Sequence, residues 1–228
     1  MIRFDYYGHA CFVLDNGKDR LLFDPFLTDN PQATIAAKDV ECNYILLTHA
    51  HGDHFGDAVE IAKRTNAKVI AIPEILGLFG NYENVHGMNL GGSFAFPFGI
   101  VTMVPALHSS GVAGGVACGF FIRFINEDDD DLTVYYSGDT ALFSDMKLIG
   151  ERRKIDYAIL PIGDNYTMGV NDAAKAVQLL KPHYAIPIHC GTWPVIKQYP
   201  SMFKSHAESI SHSLVVLVKP GESLDMLK

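Results

Sequence analysis

The stretch Thr48-His49-Ala50-His51-Gly52-Asp53-His54 carries the strongest signal of fold and chemistry in this chain. It places four metal-binding side chains within six residues, directly after residues 44–48, a run typical of a buried strand. His49 and His51 lie two residues apart in an extended loop, so both rings can turn toward one cation. Asp53 and His54 lie where the next helix begins and can face a second cation. Because imidazole and carboxylate groups suit zinc and similar divalent ions, the stretch predicts a metal-binding loop.

Further acidic and histidine side chains follow strand-like apolar runs elsewhere in the sequence. These residues are His108, Asp139 and His189. Strands of a layered fold end at shared edges, so side chains that are far apart in sequence can meet there. We therefore expect these residues to converge on the histidine-rich loop.

With these residues in place, the chain resembles the metallo-β-lactamase superfamily, whose signature is His-x-His-x-Asp-His. The resemblance extends over essentially the whole chain in the family's order, through Leu21-Leu22-Phe23-Asp24-Pro25, Pro105-Ala106-Leu107-His108-Ser109, Tyr136-Ser137-Gly138-Asp139-Thr140 and Ile186-Pro187-Ile188-His189. Within the superfamily, the chain is most similar to a branch of small metal-dependent hydrolases, on the evidence of Gly8-His9-Ala10 and residues 160–169. That branch is similar to ascorbate-phosphate lactonases and N-acylphosphatidylethanolamine phospholipases D.

The resemblance implies a dinuclear metal-dependent hydrolase. Carried onto this sequence, the family's metal ligands are His49, His51 and His108 for one ion, Asp53, His54 and His189 for the other, and Asp139 bridging both. Zinc is the first expectation for the two divalent ions, and manganese, iron or nickel are alternatives because such ligands accept all of them. A metal-bound hydroxide would attack a small ester, lactone, amide or phosphodiester. Asp53 is the expected catalytic residue, which orients that nucleophile and moves its proton.

The rest of the sequence alternates short apolar strands with turns, and later with helices. Strands are predicted at residues 2–6, 11–15, 20–23, 44–48, 68–72, 94–98, 100–105, 118–125, 132–137, 157–161, 184–188 and 214–218. Helices are predicted at residues 57–65, 144–151, 171–180 and 201–209. Two strand-rich halves, each supplied with helices, favour an α/β fold. We expect a metallo-β-lactamase-like, four-layer αββα sandwich of two mixed β-sheets, formed by residues 1–228 as a single domain.

The chain is acidic, with 18 Lys and Arg residues against 26 Asp and Glu residues and a net charge of −8. This balance argues against a nucleic-acid partner, because such proteins neutralise phosphates with clustered basic side chains. Residues 127–131 contribute five of the acidic side chains and are expected to form a solvated hairpin tip. The expected partner is a small-molecule substrate.

No signal peptide and no membrane insertion are expected. The start of the chain lacks a basic region followed by an apolar stretch, and no apolar run approaches the roughly 18 residues of a spanning helix. The 4 cysteines form no Cys-x-x-Cys pair and are expected to be reduced. We expect a cytoplasmic enzyme whose exposed sheet edges leave room for a homo-oligomer.

Three further residues are expected to contact a metal ligand or the substrate: His9, Asp24 and Asp164. Asp24 is expected to orient a ligand histidine, because metal-bound His usually donates its other N–H group to an acceptor. An Asx turn is the alternative for Asp24. His9 lines the pocket or is a hydrogen-bonded core histidine, and Asp164 contacts the site or forms a plain turn.

Three other functions are weighed against hydrolysis. An iron-dependent oxidoreductase or dioxygenase can use the same fold, but the complete second ligand set favours hydrolysis. A nuclease is disfavoured because the chain is acidic and has no basic arm. A metal-binding regulator without catalysis has no sequence feature in its favour.

Overall fold

The computed structural model describes residues 1–125 and 131–228. The hairpin tip predicted at residues 127–131 lies outside the described residues, apart from Asp131. The described strands, in chain order, are β1 (Ile2–Gly8), β2 (Cys11–Asp15), β3 (Arg20–Phe23), β4 (Tyr44–Leu46), β5 (Lys68–Ala71), β6 (Val85–Gly87), β7 (Ser93–Phe96), β8 (Gly99–Pro105), β9 (Cys118–Phe124), β10 (Leu132–Tyr136), β11 (Tyr157–Pro161), β12 (Tyr184–Ile188), β13 (Leu214–Val215) and β14 (Ser223–Met226).

These strands form two seven-stranded mixed sheets, which confirms the expected fold class. The first sheet has the order β14-β1-β2-β3-β4-β5-β6, and the second has the order β13-β12-β11-β10-β9-β8-β7. In the first sheet, β1 to β3 pair antiparallel and β3 to β6 pair parallel. In the second sheet, β7 to β10 pair antiparallel and β10 to β13 pair parallel. Each sheet therefore combines an antiparallel half with a parallel half.

Helices flank the two sheets. The α-helices are α1 (Gly52–Phe55), α2 (Ala58–Thr65), α3 (Pro73–Leu76), α4 (Met146–Arg152), α5 (Val170–Leu180) and α6 (Pro200–Ile210), and 3₁₀ turns lie at Ala37–Asp39, Gly77–Phe79 and Pro194–Ile196. The four predicted helices correspond to α2, α4, α5 and α6. Among the described residues, none of these helices combines the length and apolar character that spanning a bilayer requires.

The chain differs from the sequence-based prediction near its C-terminal end. The strand predicted at residues 214–218 is only Leu214–Val215, and β14 was not predicted. Ser223-Leu224-Asp225-Met226 contains no β-branched residue, so its strand character comes from pairing with β1, where Met226 lies opposite Ile2. Tertiary pairing, which local sequence does not encode, accounts for this difference.

Alternating side chains of β10 show how the layers pack. Tyr136 faces the other sheet, where its ring centroid lies 5.0 Å from that of Phe12 on β2. Tyr135 points the opposite way and belongs to a separate apolar cluster with Val177 of α5 and Phe203 of α6. Successive residues of a strand face opposite sides of a sheet, so one strand can contribute to both layers. Residues of both sheets therefore pack into one core.

Candidate metal centre

The candidate site lies where strands of both sheets end. It collects residues that follow β1 (His9), β3 (Asp24), β4 (residues 48–54), β8 (His108), β10 (Asp139) and β12 (His189). The two sheets contribute three of these strand ends each. The structure thus brings together all seven side chains that the sequence singled out as metal ligands.

The ligand atoms form three overlapping groups, of which the group of His49, His54 and Asp139 connects the other two. The first cluster is defined as His49, His51 and His108, and the second cluster as His9, Asp53, His54 and His189. Within each cluster the candidate ligand atoms lie within 4.8 Å of one another. Sequence reasoning assigned the second cluster without His9, which the structure adds.

Asp139 lies between the two clusters. Its Oδ2 is 3.2 Å from Nε2 of His54 and 3.1 Å from Nε2 of His189, both in the second cluster. The same oxygen is 3.8 Å from Nε2 of His108 in the first cluster. One carboxylate therefore reaches both groups of histidines, as a bridging ligand must.

The short helix α1 explains the spacing of the histidine-rich loop. His51 precedes it with extended backbone angles, φ −64° and ψ 149°, and its carbonyl accepts the N–H of His54 at 3.0 Å. The helical turn directs Asp53 and His54 to the second cluster, whereas His49 and His51 stay in the loop with the first. Gly56 ends the turn at φ +38°, where a Cβ would lie 2.5 Å from the carbonyl oxygen of Pro25.

Three residues of the site adopt left-handed backbone conformations directly after their strands. The φ angles are 56° at His9, 39° at Asp24 and 55° at His189. Non-glycine residues seldom adopt such angles, and those that do cluster at functional sites. The sharp turns aim these side chains into the space between the two sheets.

Asp24 is buried and accepts hydrogen bonds from three side chains. Its Oδ2 accepts from Nδ1 of His54 at 2.9 Å, from the hydroxyl of Thr48 at 2.7 Å and from that of Tyr136 at 2.6 Å. Its Oδ1 accepts the backbone N–H of Thr48 at 2.9 Å. With Nδ1 of His54 donating to the carboxylate, the neutral ring presents the lone pair of Nε2 toward Asp139. These contacts support an orienting role for Asp24 rather than an Asx turn.

The same carboxylate fixes the ring of His49 through Thr48. The Thr48 hydroxyl has one proton, which it donates to Asp24, so its oxygen accepts from Nδ1 of His49 at 3.0 Å. The neutral ring of His49 therefore carries its proton on Nδ1 and leaves Nε2 free. Asp24 thus fixes one histidine of each cluster in the form that binds a cation.

The donor set passes a direct test of fit to metal ions. The Nε2 atoms of His49, His54 and His189 are buried and form no hydrogen bond of acceptable geometry among the described residues, although those of His54 and His189 lie 3.2 and 3.1 Å from Oδ2 of Asp139. Buried polar atoms are nearly always paired, so a group of unpaired ring nitrogens requires an explanation. Divalent cations bound by imidazole and carboxylate provide one.

The two clusters differ in exposure. His51 and His108 of the first cluster are partly exposed, and Nε2 of His51 lies 3.2 Å from the hydroxyl of Ser109. In the second cluster the three histidines are buried, and only the Asp53 side chain reaches solvent, with 29% exposure. The first cluster is therefore the more open side of the site.

The clusters also differ in electrostatics. Burial lowers the pKa of His49 and of His108, so both rings are neutral at pH 7. Burial opposes the charged form of His189 as well, but the Asp139 and Asp53 carboxylates together outweigh it and raise the pKa to about 9. For His54, Asp139 and Asp24 likewise outweigh burial and hold the pKa well above its usual value. Without metal, positive charge therefore concentrates in the second cluster.

Carboxylates of the second cluster stay ionised. Burial alone would raise the pKa of Asp53. The adjacent rings of His189 and His9 have the larger, opposite effect, so the pKa lies well below its usual value. The pKa of Asp139 is also lowered, because His189 and His54 outweigh the effect of burial. Both side chains are therefore ready to bind cations at any pH near neutrality.

Asp164 lies outside both clusters. Its Oδ1 accepts the backbone N–H of Asn165 at 2.8 Å, and its backbone N–H donates to the carbonyl of Met168 at 3.1 Å. These are contacts of a turn at φ 63°. No contact in the described residues links its carboxylate to a candidate metal ligand.

Sequence reasoning missed several residues that hold the ligands in place. They are Thr48, Tyr136, Gln32 and Thr192. Thr48 adjoins the histidine-rich loop and Tyr136 precedes Asp139 by three residues, so both could have been found by their closeness in sequence to predicted ligands. Gln32 lies in a loop without a motif, and only the folded structure brings it to the site.

Comparison with known proteins points to the same chemistry. A family model described as the beta-lactamase superfamily domain matches residues 19–190. A UPF0173 metal-dependent hydrolase of Natranaerobius thermophilus is 46% identical over 226 residues, covering 99% of this chain and 100% of the relative. Another, from Archaeoglobus fulgidus, is 43% identical over 237 residues and covers 100% of both chains.

A solved structure agrees in fold and sequence. Igni18, described as a novel metallo hydrolase from the hyperthermophilic archaeon Ignicoccus hospitalis, superposes with a TM-score of 0.88 and is 36% identical. The similarity covers 98% of this chain and 97% of Igni18.

Proposed function

The chain belongs to the UPF0173 metal-dependent hydrolases of the metallo-β-lactamase superfamily, and we propose that it is a two-metal enzyme acting on a small ester, lactone, amide or phosphodiester. The observation that supports this most is the pair of ligand clusters joined by Asp139. A structural zinc site is closed by four protein ligands of its own, whereas the three histidines of the first cluster, with a carboxylate shared between two ions, leave a position for water or substrate.

We propose zinc as the native metal, with manganese, iron or nickel as alternatives. The first cluster and Asp139 would hold one ion, and Asp53, His54 and His189 with Asp139 would hold the other. Nitrogen and carboxylate donors without a thiolate fit this range of metals. When bound, two such cations provide a nucleophile from water near neutral pH and stabilise the negative charge that develops on the substrate.

Asp53 is the proposed catalytic side chain. It is the exposed member of the second cluster, so one carboxylate oxygen can reach solvent while Oδ2 stays 3.8 Å from Nε2 of His189. A carboxylate is ionised near neutral pH and can accept a hydrogen bond from the attacking water. It would thereby orient that water and receive its proton.

The surrounding protein keeps this arrangement rigid. Asp24 holds His54 and, through Thr48, His49, while the phenol of Tyr136 neutralises part of the buried charge by donating to Asp24. Histidines that are held in one orientation bind a cation without first losing rotational freedom. We also propose a cytoplasmic setting, which the free cysteines Cys11, Cys42, Cys118 and Cys190 support.

An activity screen tests the proposed reaction class. The protein, supplied with zinc or manganese, is assayed against lactones, phosphodiesters, phosphomonoesters and thioesters, with Asp53→Ala as the inactive control. Metal-dependent hydrolysis that the substitution abolishes would support the proposal. Turnover only with iron and dioxygen would favour the oxidoreductase alternative, and cleavage of nucleic acid alone would favour a nuclease.

A further inference from the structure

His9 is held in the second cluster by its backbone as well as its ring. Its carbonyl accepts the hydroxyl of Tyr6 at 2.9 Å and the backbone N–H of His189 at 2.8 Å. The ring is fully buried, and its Nε2 lies 3.1 Å from Oδ2 of Asp53. What this ring can do depends on which of its nitrogens carries the proton.

Gln32 begins the chain of hydrogen bonds that settles this question. Its Oε1 faces the backbone N–H of His9 at 3.0 Å, and its Nε2 faces the carbonyl of Cys190 at 3.0 Å. A backbone N–H can only donate and a carbonyl can only accept, so the orientation of the amide is fixed. Oε1 of Gln32 is therefore an acceptor.

Thr192 passes this constraint to the His9 ring. Its hydroxyl lies 3.1 Å from Oε1 of Gln32 and must donate its only proton there. The Thr192 oxygen, 2.7 Å from Nδ1 of His9, is then left to accept, so Nδ1 of His9 carries a proton. The arrangement repeats the one in which Asp24 and Thr48 fix His49.

The consequence is a pair of facing acceptors. A ring with its proton on Nδ1 has a lone pair on Nε2, and 3.1 Å away lies Oδ2 of the Asp53 carboxylate, an atom that accepts hydrogen bonds and does not donate them. Two such atoms repel each other unless a cation binds both. We infer that Nε2 of His9 is a direct ligand of the second cluster's cation, alongside Asp53, His54 and His189, an inference that rests on the proposed function.

With this assignment the two clusters differ in the number of ligands and in how open they are to substrate. With His9 added, the second cluster offers four ligands besides Asp139, whereas the first cluster offers three. The ion of the second cluster would be largely enclosed by protein, and the more exposed first cluster would keep the coordination position for substrate. Gln32 and Thr192 are then positioning residues that set the state of the His9 ring.

Cadmium NMR can detect the proposed bond directly. The full chain, labelled with ¹⁵N-histidine, is loaded with ¹¹³Cd²⁺, and long-range ¹H–¹⁵N spectra are recorded before and after loading. The signal of His9 is identified by its absence in His9→Phe. We expect a proton on Nδ1 of His9 in both states and, after loading, a scalar coupling between ¹¹³Cd and its Nε2.

The outcomes separate this inference from the proposed function. Coupling at His54 and His189 but not at His9 would overturn the inference and leave the second metal site in place. Coupling at no histidine of the second cluster would contradict the second metal site, and with it both proposals. A proton on Nε2 of His9 that persists after loading would show that the ring donates to Asp53 and is not a ligand.

Metal titration provides an independent measure. His9→Phe should weaken binding of the second cobalt or zinc ion at least about tenfold, since even indirect contacts to a metal ligand are worth that much. Trp193→Phe is the matched control, because its ring lies 5.0 Å from that of His9 and offers no ligand. Unchanged affinity in His9→Phe would overturn the inference.

Thr192 distinguishes the proton-setting role from simple packing. Thr192→Val keeps the shape of the side chain but removes the hydroxyl, so Nδ1 of His9 loses its acceptor. The ion of the second cluster should then bind more weakly. Thr192→Ser keeps the hydroxyl and should restore binding. Equal affinities for the two variants would contradict the hydrogen-bond order from Gln32 to His9.

Discussion

The two ligand clusters share Asp139 but are built differently. The first cluster consists of three histidines, of which His51 and His108 are partly exposed. The second is enclosed, carries a carboxylate, and without metal holds rings whose pKa values are raised. A cation that enters the second cluster would displace protons from buried rings, whereas a cation in the first cluster would meet His49 and His108, whose pKa values burial lowers, at a more open surface. This difference agrees with the proposal that the second cluster encloses its ion and that the ion of the first cluster contacts the substrate.

Removing the shared carboxylate should have the largest effect. Asp139→Ala takes one ligand from each ion and leaves buried histidines facing each other, so metal content and turnover should fall together, turnover by at least about 100-fold. Elemental analysis and an activity assay on the same sample check this. Asp172→Ala, on the exposed side of α5, is the control and should keep its metal. If Asp139→Ala kept two ions, Asp139 would not bridge the clusters.

Removing one histidine of the first cluster should reduce the metal content of that cluster alone. His51→Ala should lose the ion of the first cluster and the activity with it, while the second cluster keeps its ion, because Asp53, His54 and His189 are untouched. The measurement is metal content after dialysis, alongside turnover. Loss of both ions would show that the clusters do not bind independently.

Asp53→Ala should separate chemistry from metal binding. Because Asp53 is proposed to move a proton in the reaction, turnover should fall by about 10²- to 10⁴-fold, at least as strongly as metal content. Comparing activity per bound ion with that of the unchanged protein is the appropriate readout. Full turnover would rule out the proposed base role.

The residues behind the ligands should produce smaller, cluster-specific effects. Asp24→Asn disturbs the rings of His54 and His49. It should therefore weaken the binding of both metal ions by about 10- to 100-fold. Thr48→Val removes the hydroxyl that joins Nδ1 of His49 to Asp24 but leaves the bond between Asp24 and His54, so it should weaken binding of the first cluster's ion alone. Titration with cobalt, followed by its absorption spectrum, reports both affinities. Equal weakening of both sites in Thr48→Val would contradict this assignment.

Proton release should give the smallest and most discriminating difference. In the metal-free protein His189, with a pKa of about 9, and His54, whose pKa is also raised, are protonated at pH 7. Filling the second cluster should release about two protons at that pH, and its affinity should rise as the pH increases toward 9. His49 and His108 are already neutral, so they release none. Calorimetry in buffers of different ionisation enthalpy measures this, and similar release at both clusters would contradict the electrostatic difference.

The sequence predicted which candidate ligand residues lie close together better than it predicted the residues around them. His49, His51, Asp53 and His54 stand in one loop, and the strand that precedes them fixes where the loop lies. The convergence of His108, Asp139 and His189 followed from strand ends meeting at one edge. Gln32 and Thr192 could not be found this way, because they meet His9 only through long-range packing.

The fold shows the same division. The buried strand β11 matched its predicted bounds, residues 157–161, because an apolar run between turns is a local signal. β14 was missed because its strand character comes from pairing with β1 across almost the whole length of the chain. Local patterns identify the elements of this protein, and contacts between distant residues complete the site.

Metal stoichiometry tests the central claim most directly. The protein is purified without added metal, its content is measured by elemental analysis, and the ions are located by anomalous diffraction. The two-cluster account predicts about two divalent ions per chain, one at each side of Asp139. A single tightly held iron with a coloured spectrum, or one ion with the other cluster empty under metal excess, would contradict it.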